Sequence, residues 1–211
     1  YMNNFEPTLA GRAIEEFTDS QLSNWYVRLC RRRFWKGEYE EDKISAYQTL
    51  FECLDTVCRL TAPISPFFAD VVFTNLNKVS GLHQVESVHH AKFPIVTKEA
   101  INQSLERRMQ LAQDACSLLL SIRKKVNIKV RQPLQKVLIP VLDAEMKNQL
   151  MLVEDLIKAE VNVKEIEYLN PDNAFIQKKI KPNFVALGKK LGGKMKQAAA
   201  IITAFDQDQI R

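Results

Sequence analysis

The sequence predicts a mainly α-helical fold: an antiparallel helical bundle over residues 1–127, followed by a small α/β module over residues 128–211. Three observations carry this prediction. Up to about residue 126, apolar side chains recur at i, i+3, i+4 and i+7, the spacing of one helix face. From Asn127 onward, two β-rich runs flank a capped helical stretch. Between the two regimes lies "NIKVRQP", residues 127–133, which is basic and ends in proline, as a domain boundary would.

The elements follow in order. "PTLAGRAIEEF" (7–17) has a helical apolar pattern, and Asp19 or Ser20 is placed to cap a second helix that runs to about Trp35. After "KGEYEED", Asp42 is expected to cap "KISAYQTLFECLDTVCRLTA". In that helix Tyr47, Leu50, Phe51, Leu54, Val57, Cys58 and Thr61 form one stripe, with Glu52, Asp55 and Arg59 on the opposite, outward face. Pro63 ends it, and Ser65 with Pro66 starts the next helix, "PFFADVVFTNLN". "SVHHAKFP" is expected to be extended and to stop at Pro94. Thr97 then caps a long helix to about Lys125, with Glu99 and Glu106 early and Arg123, Lys124 and Lys125 late, as the helix dipole favours. "LQKVLIPVL" reads as a strand, Asp143 caps "AEMKNQLMLVEDLIKAE", and "VNVKEIEYL" alternates as a second strand. "IKPNFVALGKKLGGKMKQAAAIITAF" reads as a basic loop and a last helix.

Composition narrows the function. The chain has 211 residues, a net charge of +5 and a pI near 9.0, which tilts the choice of partner toward polyanions. Cys30, Cys53, Cys58 and Cys116 form no C-x-x-C pair and are expected as core thiols, with no metal site and no disulfide framework. No apolar run reaches the ~18–20 residues of a membrane span, and no signal peptide is evident, so no membrane is expected as a partner and the reducing cytoplasm is the expected location. The opening "YMNNFEPTLAGRAIEEF" enters a helical pattern at once and "AFDQDQIR" breaks off without a closing signal, which leads us to expect a piece of a longer protein.

Catalytic constellations are sparse. His83, His89 and His90 share one loop region without a G-x-S-x-G or H-E-x-x-H motif, and are expected as structural histidines. "GKKLGGKM" (188–195) satisfies G-x-x-x-x-G-K, but Met195 stands where a phosphate-binding loop needs Ser or Thr to hold magnesium. A glycine turn with surface lysines, or with lysines on RNA phosphates, is the expected reading; a nucleotide hydrolase is the third alternative.

The basic segments carry more. "SNWYVRLCRRRFWKG" (23–37) holds four arginines, one lysine, two tryptophans, one tyrosine and one phenylalanine, and no acid. Residues 115–142 contain no acid but hold Arg123, Lys124, Lys125, Lys129, Arg131 and Lys136; residues 173–205 are also free of acids and include Lys189, Lys190 and Lys194. Such segregation is the footprint of a phosphate-binding face, or else of three solvated lysine faces. On a helix of 100° per residue, Leu22, Tyr26, Leu29 and Arg33 share one direction within about 40°. Arg28, Arg31 and Trp35 share the far side, with Arg32 at the border. Arg33 is therefore expected to pair with a buried acid or a carbonyl. The outward cation–aromatic patch, which Lys36 extends, either stacks on RNA or docks another domain.

These residues resemble a known family. "AGRAIEEFTDSQLSNWYVRLCRRRFWKG", "DKISAYQTLFECLDTVCRLTAPISPFFADVVFTNLN" and "SVHHAKFP" are similar to the segment just after the catalytic core of isoleucyl-tRNA synthetases. "RLTAPISPFFAD" resembles an element shared by the class I synthetases for isoleucine, valine, leucine and methionine, where it joins two packed helices of the anticodon-binding bundle. "KVRQPL" and "IKPNFVALGKKLGGKMK" extend the resemblance across essentially the whole chain, toward the type found in eukaryotes and some bacteria.

The resemblance implies a partner, isoleucine tRNA, and a second one, the catalytic domain of the same polypeptide. The parent joins isoleucine to its tRNA with ATP and magnesium. This chain holds neither H-I-G-H nor K-M-S-K-S, since "GKMKQ" lacks both serines, and lacks the editing domain and a four-cysteine zinc module. It is therefore expected to need no cofactor, to be inactive alone and to hold the anticodon stem and loop weakly. Charge and helical position, not the resemblance, select the expected contacts: Arg28, Arg31, Arg32, Trp35, Lys36, Arg123, Lys124, Lys125, Lys129, Arg131, Lys189, Lys190 and Lys194. The alternative is a docking module whose basic patches meet acidic neighbours without reading an anticodon.

Overall fold

The structure is a computed structural model that describes residues 1–4, 6–170, 182–184, 187–188 and 192–203. The chain is mainly helical and divides into two compact units, Tyr1–Gln103 and Ser104–Arg211.

In the first unit a short 3₁₀ turn, Met2–Asn4, precedes α1 (Pro7–Glu16), which has proline in its first turn. The helix does not break at Asp19 or Ser20. It continues as a π-helical stretch, Phe17–Val27. Two local bonds fit this widening. Thr18 Oγ1 bonds back to the Ile14 carbonyl at 2.8 Å, and Asn24 Nδ2 donates to Asp19 Oδ1 at 2.9 Å across five residues, one π turn. A short α2 (Arg31–Trp35) follows a turn at Cys30.

The wider register shifts the faces. A bond to the residue five back turns the chain by roughly 80° per residue instead of 100°, so the six residues from Leu22 to Val27 lag an α-helix by roughly 120°. That lag brings Phe34 into line with Leu22. Leu22, Cys30 and Phe34 are the buried side chains here, whereas Leu29 and Arg33, expected on the core stripe, are only half-buried.

Next come α3 (Glu41–Thr61) and α4 (Pro66–Ser80), the latter closed by Gly81 in the left-handed conformation, its N–H on the Asn77 carbonyl. Asp42 does not cap α3: it lies inside the first turn, with Glu40 at the cap position, and its carboxylate is bound to Arg33. Two apolar clusters hold the unit. Cys30, Phe34 and Ala46 pack with Tyr26, Val27 and Leu50; Cys58 and Ala62 of α3 pack with Ala69 and Phe73 of α4 and with Val88. Tyr26 Oη of the first cluster donates to the Ala46 carbonyl at 3.0 Å, and Tyr47, at the edge of that cluster against Phe34, donates its Oη to the Phe34 carbonyl at 3.2 Å. "SVHHAKFP" contains a 3₁₀ turn, Val88–His90, capped by Ser87, and a second such turn, Lys98–Ala100, follows Thr97.

In the second unit, α5 (Gln103–Lys125) begins six residues after Thr97, the expected cap. This division groups α5 with the strands, while the sequence pattern changes character after it. Strand β1 (Leu134–Pro140) pairs in parallel with β2 (Val163–Leu169), Leu134 facing Val163 and Pro140 facing Leu169. Parallel pairing demands a crossover, and helix supplies it. The single helix expected over 144–160 is two, α6 (Ala144–Met151) and α7 (Glu154–Val161), parted where Val153 N–H reaches the Leu150 carbonyl in a tighter turn. Asp143 caps α6 as expected, its Oδ1 2.7 Å from Met146 N. Ile139, Val141, Leu150, Ile157, Val161, Val163 and Leu169 are buried. The 3₁₀ turn Gly192–Lys194 leads into α8 (Met195–Thr203).

Candidate nucleic-acid interface

The first-unit candidates are Arg28, in the helical stretch before the Cys30 turn, Arg31, Arg32 and Trp35 on α2, and Lys36 just after it. Arg28, Arg31, Arg32 and Lys36 are exposed, and Trp35 keeps 79% of its surface open. The side chains of Arg31, Arg32, Trp35 and Lys36 make no hydrogen bond or ion pair among the described residues. Arg33 differs. Its Nε and Nη2 clasp the Asp42 carboxylate at 2.7 Å each, Nη2 also reaches the Asp42 carbonyl at 2.8 Å, and Nη1 lies 3.4 Å from Cys30 Sγ. The acid is exposed rather than buried, so the expected pairing forms at the surface. The hydrogen bond to Asp42 raises the Arg33 pKa above its ordinary value. This fork staples the start of α3 to α2.

The turn between α2 and α3 is also pinned. Gly37 adopts φ +78°, which favours glycine. Lys43, buried to 8% exposure, donates from Nζ to the Gly37 carbonyl at 3.2 Å and sits 4.5 Å from the centroid of the Tyr39 ring.

In the second unit Lys124, Lys125, Lys129 and Arg131 are exposed. Arg123 is not: it is 3% exposed, and its guanidinium donates to the carbonyls of Lys129 (3.2 Å), Gln132 (3.0 Å) and Asn162 (2.9 Å). Burial, with three of its five N–H donors on backbone carbonyls, sets it apart from the exposed cations as a phosphate ligand. It instead fixes the loop that carries Lys129 and Arg131, and Asn162 Nδ2 adds a bond to the Val130 carbonyl at 2.9 Å. Lys194 is exposed; Lys189 and Lys190 lie outside the described residues.

One constellation escaped the sequence pattern. Asp55, assigned to the outward face of α3, is buried. Its Oδ2 meets Arg59 Nη2 at 2.7 Å and its Oδ1 meets His83 Nε2 at 2.8 Å. The His83 ring lies against Phe73, centroids 5.0 Å apart, and its backbone N–H is held by Asn77 Oδ1 at 2.8 Å. The signal in the sequence was only the i, i+4 spacing of Asp55 and Arg59. This clasp ties α3 to the loop after α4. His89 and His90 are exposed. Among the described residues no group of three or more His, Cys, Asp and Glu side chains is placed to hold a metal ion, and no helix is long and apolar enough to cross a membrane.

The exposed cations of α2 stand beside an open tryptophan, and sequence comparison names the class of protein. The chain belongs to the anticodon-binding domain family of tRNA ligases, whose model matches residues 1–138. Its relatives include isoleucine–tRNA ligases. It is 52% identical over 208 residues to that of Cytophaga hutchinsonii, 51% over 208 residues to that of Bacteroides thetaiotaomicron, and 47% over 210 residues to that of Porphyromonas gingivalis. These alignments cover 99%, 99% and 100% of this chain but 19%, 18% and 18% of the relatives, so the chain spans about a fifth of their length.

Proposed function

We propose that this chain is the part of an isoleucine–tRNA ligase that holds the anticodon stem and loop of isoleucine tRNA in the cytoplasm. The carrying observation is the α2 turn, where Arg31, Arg32 and Lys36 make no side-chain hydrogen bond or ion pair among the described residues and stand beside an open Trp35. Guanidinium and ammonium groups supply affinity for backbone phosphates, and an open indole supplies a stacking surface for an unpaired base. Lys124, Lys125, Lys129, Arg131 and Lys194 extend the cationic set. The ligation of isoleucine to tRNA, with ATP and magnesium, belongs to a longer polypeptide, and this chain requires no cofactor for its own part.

The test is a titration with isoleucine tRNA and an anticodon-swapped version at two salt concentrations. Preference for the native anticodon, with affinity falling steeply as salt rises, supports the reading. Absence of binding at low salt refutes it in favour of domain docking. That second reading draws on one observation: Phe67, Phe68 and Val71 of α4 are 88%, 67% and 61% exposed, an apolar surface suited to the catalytic part of the same polypeptide.

A further inference from the structure

Tyr39 is the residue that the cationic reading leaves unused. It is 75% exposed and four positions beyond Trp35, within about 14 Å along the chain. One face of its ring is covered by the Lys43 ammonium, 4.5 Å from the centroid, and that ammonium is tied to the Gly37 carbonyl. Lys43 is itself buried, so the cation beneath the ring is fixed. A ring held from one side by a cation–π contact loses little further freedom when something stacks on its other side.

The surroundings select what can stack. Glu38, Glu40 and Glu41 flank Tyr39 and are exposed. Carboxylates repel phosphate, so an RNA backbone is kept away from this point, while a splayed, neutral base can approach and offer its amino groups to the acids. Trp35 lies among cations and Tyr39 among anions, within one turn. We infer that the open face of Tyr39 is a second base-stacking platform, for an unpaired RNA base rather than for duplex or backbone, with Lys43 as its positioning residue. The inference rests on the proposed RNA-binding reading and adds to it a site that discriminates unpaired from paired RNA.

The test uses this chain with two probes, a stem–loop RNA with unpaired loop bases and a blunt RNA duplex with the same number of phosphates, each titrated over a range of salt. Tyr39→Ala is expected to weaken stem–loop binding about tenfold, leave duplex binding unchanged, and leave the slope of log affinity against log salt unchanged. Tyr39→Phe keeps the ring and is expected to bind as the parent does. Lys43→Met is expected to lose part of the stem–loop preference. Arg31→Ala, by contrast, lowers the salt slope for both RNAs. A Tyr39→Ala chain that binds the stem–loop as tightly as the parent overturns this inference and leaves the proposed function standing. So does an equal loss on both probes. A parent chain that binds neither RNA overturns both.

Discussion

Asp55 and Arg59 lie one turn apart on α3, carboxylate to guanidinium at 2.7 Å, on a face that points inward. A carboxylate buried to this degree needs its partners. Removing it strips Arg59 Nη2 and His83 Nε2 of their carboxylate, leaving Arg59 only the Lys92 carbonyl, 3.2 Å from Nη1. Asp55→Ala is expected to destabilise the first unit by about 3–5 kcal/mol, the cost of breaking a buried pair from one side. Asp55→Asn, which keeps one acceptor, is expected to cost less. Urea unfolding followed by circular dichroism compares the two; equal midpoints for Asp55→Ala and the parent would sink the idea.

Arg123 and Lys124 are neighbours in sequence with opposite duties. Arg123→Lys loses the planar fork that serves three carbonyls and is expected to cost about 1.5–3 kcal/mol. Lys124→Ala is expected to change stability by less than about 0.5 kcal/mol, while lowering the salt dependence of RNA binding. Thermal melting and a salt-series titration on the same two variants separate the roles.

That pair also marks where sequence reading stops. The proline start at Pro66, the Asp143 cap and both strands were legible, because caps, fixed φ and alternation act locally. The inward turn of Arg123 was not: a run of like charges gives no sign of which member is taken by backbone carbonyls 6, 9 and 39 residues away. Nor was the π register from Phe17 to Val27. A helical wheel assumes one turn angle, so it placed Leu29 and Arg33 where Cys30 and Phe34 stand. Trp35 and its arginines still came out exposed, since the lag moved them between outward directions. Asp55 was missed because periodicity sorts residues by polarity, and a buried acid with two partners breaks that rule.

Asp70 gives an acid-side prediction. The Ser87 hydroxyl at 2.7 Å and the Val88 N–H at 2.9 Å both donate to its Oδ1, which lowers its pKa below the ordinary carboxylate value. A depressed carboxylate contributes stability above the unfolded-state pKa, and that contribution is lost as pH falls through the folded-state value. Asp70→Asn is therefore expected to flatten the stability profile below about pH 4 while changing its shape little above. Unfolding midpoints measured across acid pH decide it.

Tyr168 gives the alkaline counterpart. Burial is the larger cause, and the Glu154 carboxylate, 3.2 Å from its hydroxyl, adds to it; together they raise the phenol well above its usual range. A raised pKa contributes stability that is fully present below the unfolded value and is lost as pH rises from about 10. In an ultraviolet alkaline titration Tyr168 is expected to ionise above the ordinary phenol range. Glu154→Gln should bring it down, and an unchanged titration in that variant would refute the coupling.

The Arg123 contact to Asn162 closes the same stretch of chain that the pairing of Leu134 with Val163 closes. Two anchors on one loop make its opening all-or-none: releasing the guanidinium frees the loop before β1, and separating the strands strips the guanidinium of a partner. The backbone amides of β1 and β2 should consequently exchange with solvent deuterium at a common rate set by one opening event. Arg123→Lys should speed them together rather than fraying the sheet from its ends.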